Sequence, residues 1–244
     1  MPRYKLTIEY DGAAFRGWQR QEGVPSVQQS IEDALFEILH QKFVLEGAGR
    51  TDAGVHAKGQ VGHFEYPQKI NTFKLTEGLN FYLRPHITIL NIEEVADDFH
   101  ARFSAKSRAY EYLILNRRAH SPLLKDYAWH VNLPLDVDLM NKGASHFLGT
   151  HNFNAFRASE CQSSSPIKTL SQFSIIQEGE LIKAFIQAPS FLHNQVRIMV
   201  GTLRLVGEGK WPPEKIKEII QRENRTLAGP TAPPHGLCLV SVEY

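Results

Sequence analysis

Apolar residues along this chain change period in the same order twice, and few folds tolerate that. LTIEY (6–10) alternates as a strand does and closes on the turn pair Asp11-Gly12. Val27, Ile31, Leu35 and Ile38 then recur at helical spacing, behind Ser26 and Gln29 in the positions of a capping box. FVLEGA (43–48) and QVGHFEY (60–66) read as strands, LTEGLNFYL (75–83) as a helix and ITILNIEEV (87–95) as a strand. The series is β-α-β-β-α-β, the split order of ferredoxin-like folds. It begins again at the strand AYEYLIL (109–115) and a helix over 136–148 capped by Asp136. A hairpin of 167–177 with 180–188 follows, turning at Glu178-Gly179, then a helix over 193–207 and a closing strand, GLCLVSVEY (236–244). One further helix falls at 213–221. The spacing predicts an α+β chain of two pseudo-symmetric ferredoxin-like halves, 1–105 and 106–244, with a cleft where their sheets meet.

Between the second and third predicted strands lies GAGRTDAGVHAKGQ (47–60), with four glycines and a single carboxylate, Asp52. Asp and Gly are common in turns for conformational reasons alone. Yet Gly47, Ala48, Gly49, Ala53 and Gly54 remove more bulk around Asp52 than a turn requires, as if to clear space beside it. Arg50 stands two residues before it, on the same face of an extended chain. A nearby cation keeps a carboxylate ionised, which suits a nucleophile or base.

Other chemistries lack their signatures. Asp52, His56 and His63 offer mixed oxygen and nitrogen ligands, but neither HExxH nor a carboxylate cluster is present, and histidines are scattered throughout. There is no GxSxG elbow, and Ser26 is explained as a helix cap. GxGxxG and GxxxxGK[ST] are absent too, so nucleotide cofactors have no phosphate loop. Cys161 and Cys238 are far apart and fit a reducing compartment. No apolar run reaches the ~18 residues of a membrane span, and a cytoplasmic, soluble protein is expected. Lys and Arg number 27 against 26 acids, so any basic surface must come from local arrangement.

Two segments mix aromatics with cations: FRGWQRQ (15–21) and DDFHARFSAKSRAYEY (97–112). Stacking faces beside guanidinium groups suit single-stranded or looped RNA, although the same mixture also covers core edges. The long segment 149–166, with aromatics and no period, reads as a docked functional loop.

Together GRTDAGVHAKGQVGHF, EYDGAAFRGWQRQ and DDFHARFSAKSRAYEY resemble the tRNA pseudouridine synthase A family. The similarity continues through FRASECQSSSP, SFLHNQVRIMVGTL and APPHGLCLV, so it covers nearly the whole chain in order. The resemblance implies an isomerase without cofactor or metal. Such an enzyme breaks the uridine N1–C1′ bond and rejoins C5 to C1′ at positions 38–40 of the tRNA anticodon arm. It also implies a homodimer that holds one tRNA across both subunits, and two ferredoxin-like halves sharing a largely antiparallel sheet.

Asp52 matches the catalytic carboxylate, a nucleophile on C1′ or a base on the ribose 2′ hydrogen. Arg50 matches the arginine that displaces the target base, and Arg197 the one that pairs with the carboxylate. Tyr110 and Leu237 match residues that pack on the base and line its pocket. Arg16, Gln19, Arg20, Phe99, His100, Ala101, Arg102, Phe103 and Gln162 are the expected RNA contacts. Ser164 and Ser165 stand where the family usually has a basic residue, so the 160–165 loop ranks below 99–103. A non-catalytic RNA-binding module and a metal-dependent hydrolase remain as alternatives.

Overall fold

The computed structural model describes all 244 residues. In chain order the elements are β1 (Arg3–Tyr10), α1 (Val27–Leu39), β2 (Glu46–Gly47), β3 (His56–Glu65), α2 (Thr72–Leu83) and β4 (Ile87–Val95). Next come β5 (Ser107–Asn116), β6 (Trp129–Val131), α3 (Val137–Ser145), β7 (Gly149–Asn152), β8 (Ile167–Leu170) and β9 (Gln172–Glu178). β10 (Leu181–Ala188), α4 (Gln195–Gly207), α5 (Lys215–Arg222) and β11 (Leu237–Glu243) complete the chain. They form two compact units, Met1–Lys106 with Cys238–Tyr244, and Ser107–Leu237. No helix is long and apolar enough to cross a membrane.

In the first unit β1 runs antiparallel to both β3 and β4, and β11 lies parallel to β3 with Cys238 opposite His56. Tyr4, Leu6, Ile8 and Tyr10 alternate along β1 and are buried, as period two requires of a strand with one core face. Val27, Ile31, Ala34 and Leu35 of α1 and Leu75, Leu79 and Leu83 of α2 are buried as well. Ser26 caps α1, its Oγ accepting from Gln29 N, and Asn71 caps α2.

The strand expected at 43–48 shrinks to Glu46–Gly47. The backbone of Leu45 is diverted: its N–H donates to Glu32 Oε1 (2.9 Å) and its carbonyl accepts from Gln28 Nε2 (3.2 Å), both on α1. Those side chains take the place of a ladder partner. β3 in turn begins at His56, inside the segment expected as a loop.

In the second unit β10 pairs antiparallel with β5 and β9, while β6 adds to β5 in parallel. The β9–β10 turn falls at Gly179, with φ +62°, where glycine is the residue without steric penalty. The expected strand 167–177 breaks at Ser171, whose N–H goes to the Gln187 carbonyl, so that β8 pairs with β7 instead.

The 149–166 segment is less open than its composition suggested. Phe153 and Phe156 are completely buried with Phe147, and the Phe147 ring meets Phe156 at 5.0 Å and Phe173 at 5.6 Å. Burying each such ring stabilises the unit by roughly 1.5–3 kcal/mol. These aromatics are core, not a binding surface.

His63, on β3, fastens the 99–103 turn: its Nδ1 accepts from the Ala101 N–H at 3.2 Å. Burial, then the neighbouring His100 and Arg3, hold its pKa below the ordinary 6.5. An imidazole that is harder to protonate when folded contributes stability above the unfolded value, and loses it as pH falls through the folded one. Urea midpoints of the parent should therefore drop as pH is lowered from about 6.5, and His63→Gln should flatten that part of the curve. Parallel curves for the two proteins would refute the assignment.

Candidate active site

Asp52 opens a tight turn in the first unit. The Val55 N–H donates to the Asp52 carbonyl at 3.1 Å, and Gly54 takes φ +78°, a conformation that favours glycine. The turn is held from outside by two other glycines. A Cβ on Gly17 would stand 2.7 Å from the Thr51 carbonyl oxygen and 3.2 Å from Ala53 N, and one on Gly12 would stand 2.0 Å from the Val55 carbonyl oxygen. Gly17 also has φ +98°, so both space and backbone demand its missing side chain.

Hydrogen bonds finish the clamp. Thr51 accepts at its carbonyl from the Trp18 N–H (3.1 Å), and its Oγ1 bonds the Tyr10 hydroxyl (2.7 Å). The buried amide of Gln60 donates to the Gly49 carbonyl at 2.9 Å. Thr51 and Trp18 are buried, Asp52 is half-buried and Arg50 is exposed.

The smallness around Asp52 has mixed causes. The Trp18 ring occupies the place of a Gly47 Cβ, 2.6 Å from it, and Ala48 is buried with Val61 and Ala101. Gly49 has nothing within 4 Å of its Cβ position, and Ala53 is exposed. Only part of the bulk removed from this loop clears open space.

The neighbouring segment carries Arg16, Gln19 and Arg20. Arg16 and Arg20 are exposed and Gln19 half-buried, on either side of the buried Trp18. The Arg20 N–H donates to Gln28 Oε1 at 2.9 Å, and its guanidinium pairs with Glu32 Oε2. Gln28 and Glu32 are buried polar residues that the sequence reading passed over, because it counted only the apolar positions of α1.

In the turn 99–103 the expected contacts separate. Ala101 is fully buried; its carbonyl accepts from the Tyr244 hydroxyl at 2.8 Å. Phe99 packs on the Tyr244 ring at 4.8 Å. His100 is half-buried, and its Nδ1 accepts from the Arg102 N–H at 3.1 Å. Phe103, with 76% of its surface exposed, and Arg102, whose guanidinium lies 5.6 Å from that ring, face solvent.

In the second unit the Arg197 guanidinium is half-buried. Nε donates to the Ala232 carbonyl at 2.8 Å and Nη1 to Asn194 Oδ1 at 2.7 Å. Tyr110 is half-buried and meets Phe191 edge-on at 5.3 Å, whereas Tyr112, on the same face of β5, is wholly buried. The Tyr112 hydroxyl donates to the Pro233 carbonyl at 2.8 Å, and burial pushes its pKa far up against the opposing pull of Arg197. Leu237 is buried, and Gly236 before it lies against the Tyr112 ring. The 232–237 segment thus ties Arg197 to the ring beside Tyr110.

Gln162 is exposed. Its neighbour Cys161 is buried and accepts at Sγ from the His193 N–H at 3.3 Å. Burial raises that thiol, but the N–H groups of His193 and Ser163 and the charges of Arg157 and His193 outweigh it, leaving it below the ordinary value.

The metal alternative finds no supporting geometry. His56 and His63 are seven positions apart on one strand, which at strand rise separates them by about 23 Å. No group of three His, Cys, Asp or Glu side chains is arranged to hold an ion. Both Nδ1 atoms are in use, His56 accepting from the Gly12 N–H at 3.1 Å and His63 from Ala101.

A family model described as tRNA pseudouridine synthase matches residues 6–104 and 144–244. The tRNA pseudouridine synthase A of Rhodospirillum centenum is 48% identical over 245 residues, covering all of both chains. That of Rhodospirillum rubrum is 46% identical over 245 residues, covering all of this chain and 88% of its own. Matched on both sides of residues 105–143 and end to end with two named enzymes, the chain belongs to the tRNA pseudouridine synthase family of isomerases.

Proposed function

We propose that the protein converts uridine to pseudouridine at positions 38–40 in the anticodon arm of tRNA, with Asp52 as the catalytic carboxylate. The N1–C1′ bond breaks, the base turns, a C5–C1′ bond forms, and the hydrogen that leaves C5 is balanced by one gained at N1. Asp52 acts on the ribose, where the charge of the separating sugar develops. Arg50 displaces the base, and Arg197 is the guanidinium partner that the family resemblance assigns to the carboxylate. Tyr110 packs on the base and Leu237 lines its pocket.

Arg16, Gln19, Arg20, Phe99, His100, Arg102, Phe103 and Gln162 contact RNA, while Ala101, buried with both backbone groups bonded to His63 and Tyr244, holds the 99–103 turn in shape. Arg102 and Phe103 are the best placed of these, since one offers a cation and the other an exposed ring. The working form is a cytoplasmic homodimer of ferredoxin-like halves that needs no cofactor.

The observation that carries this reading is the fixed backbone of Asp52. Gly12 and Gly17 leave no room for it to shift, and Thr51 is tethered through Trp18 and Tyr10. A carboxylate that must meet one ribose carbon gains most from such placement, where misalignment of about 1 Å costs on the order of a hundredfold in rate.

Asp52→Asn should abolish pseudouridine formation, read by chemical mapping of tRNA, while tRNA affinity stays within about twofold because phosphate contacts dominate binding. Turnover near the parental rate would remove Asp52 from the chemistry and favour a non-catalytic RNA-binding module. Gly17→Ala should keep affinity and slow single-turnover conversion by about tenfold or more; an unchanged rate would mean that the clamp is not needed. With refolded tRNA, saturating EDTA should leave the rate intact, and a loss restored by one divalent ion would revive the hydrolase-like metal reading.

A further inference from the structure

Asn194 stands at the N-cap of α4, where asparagine is among the best capping residues because its side chain accepts from the first turn of the helix. Here it does not cap. Its backbone is left-handed, with φ +61°, and no side-chain hydrogen bond reaches the helix N–H groups. Oδ1 instead accepts from Arg197 Nη1 at 2.7 Å, three residues on. A residue that gives up its usual local bond and adopts a less populated conformation points to a role set by something else.

The surroundings hold both ends of that bond. Before Asn194, the His193 N–H donates to Cys161 Sγ and the His193 carbonyl accepts from Ala158 N at 3.1 Å, which pins the turn into α4. On the far side of the guanidinium, Nε meets the Ala232 carbonyl, and the Ala232 N–H donates to the Arg197 carbonyl at 3.1 Å. Segment 229–232 can approach α4 because Gly201 has no side chain: a Cβ there would stand 1.9 Å from the Pro230 carbonyl oxygen. The Gly229 N–H adds a bond to Thr202 Oγ1 at 2.9 Å. Arg197 is therefore gripped at Nε and at Nη1, from two directions in the plane of its fork.

We propose that Asn194 is a positioning residue for the reaction, fixing the rotation of the Arg197 guanidinium, the group that the proposed function assigns to catalysis. The inference rests on the assignment of Arg197 to the active site. Asn194 itself touches no reacting atom. Without Oδ1, Arg197 keeps its charge and its Ala232 bond but can turn about its last side-chain bonds. Binding of tRNA, set by other cations, is left alone.

Asn194→Gly deletes the side chain while keeping a residue that accepts φ +61°. It should slow single-turnover pseudouridine formation by about tenfold or more and leave the tRNA dissociation constant within about twofold. Asn194→Asp, which retains the acceptor, should recover most of the rate. In an Arg197→Met background, Asn194→Gly should add no further loss, since the group it orients is gone. If Asn194→Gly does not fold, Asn194→Ser, too short to reach Nη1, is held to the same outcomes.

A parental rate in the side-chain deletion overturns the proposal. So does an additive loss on Arg197→Met, which would mark a purely structural turn, or an Asn194→Asp enzyme as slow as the deletion. Full activity of Arg197→Met alone is a different result: it removes Arg197 from the active site, and the premise with it.

Discussion

Thr51, the residue before the carboxylate, is bonded at two points, and both bonds lead back to the start of the chain. Its carbonyl accepts from Trp18 N, and its hydroxyl meets Tyr10 at the end of β1. Trp18 and Gly17 in turn spend their carbonyls on α1, accepting from Gln28 N at 3.0 Å and Val27 N at 3.2 Å. The first N–H groups of any helix have no partner within it. Ser26 satisfies Gln29, and the loop that carries Arg16 and Arg20 satisfies the other two. Folding of α1 therefore fixes that loop, and the loop fixes Thr51. The placement of Asp52 follows from the capping needs of a helix that itself bears no catalytic group.

Inside the same helix, Gln28 and Glu32 hold both partners of that arrangement. Glu32 is only 4% exposed, a costly site for a carboxylate without compensation. Its compensation is complete on one oxygen, with Leu45 N and Gln28 Nε2 at 2.9 and 3.1 Å, and ionic on the other, with Arg20. Losing Arg20 would leave the buried Glu32 carboxylate without its counterion, whereas losing Glu32 leaves a half-exposed guanidinium that solvent can screen. A bond to Leu45 and a charge on Arg20 from one side chain couple the approach to β3 with the cationic loop. An apolar residue at position 32 would fill the volume but leave the Leu45 N–H without its acceptor.

Local chemistry made much of this chain legible. Ser26 and Asp136 cap the helices that their spacing announced, and β4 matches its periodic run residue for residue. What stayed hidden depended on partners distant in sequence. Nothing in FVLEGA says that side chains of α1 will take the Leu45 backbone, and nothing in GLCLVSVEY says that Cys238 will lie opposite His56 on a parallel strand from the first quarter of the chain. The phenylalanines of 149–166 lacked a period because they reach the core from a 3-10 turn and its flanks, not from a helix or strand face. Asp52, Arg50 and Arg197 were legible as parts of motifs. Asn194 was not, since its signature is a backbone angle and a capping bond not made.

That difference bears on what the short residues around Asp52 are for. Read from the sequence, they look like room for a base. In the fold, Gly12, Gly17 and Gly47 are already filled by a carbonyl, a carbonyl and an indole, and Gly54 serves the turn. Room remains at Gly49 and Ala53, the positions flanking Arg50 and Asp52 on either side. What the fold shows is rigidity: close backbone approaches from Gly12 and Gly17, possible only at glycine, brace the chain on both sides of Asp52. Gly12 and Gly17 of the preceding segment brace the turn, Gly54 shapes it, and open space is left only beside Asp52, at Gly49 and Ala53.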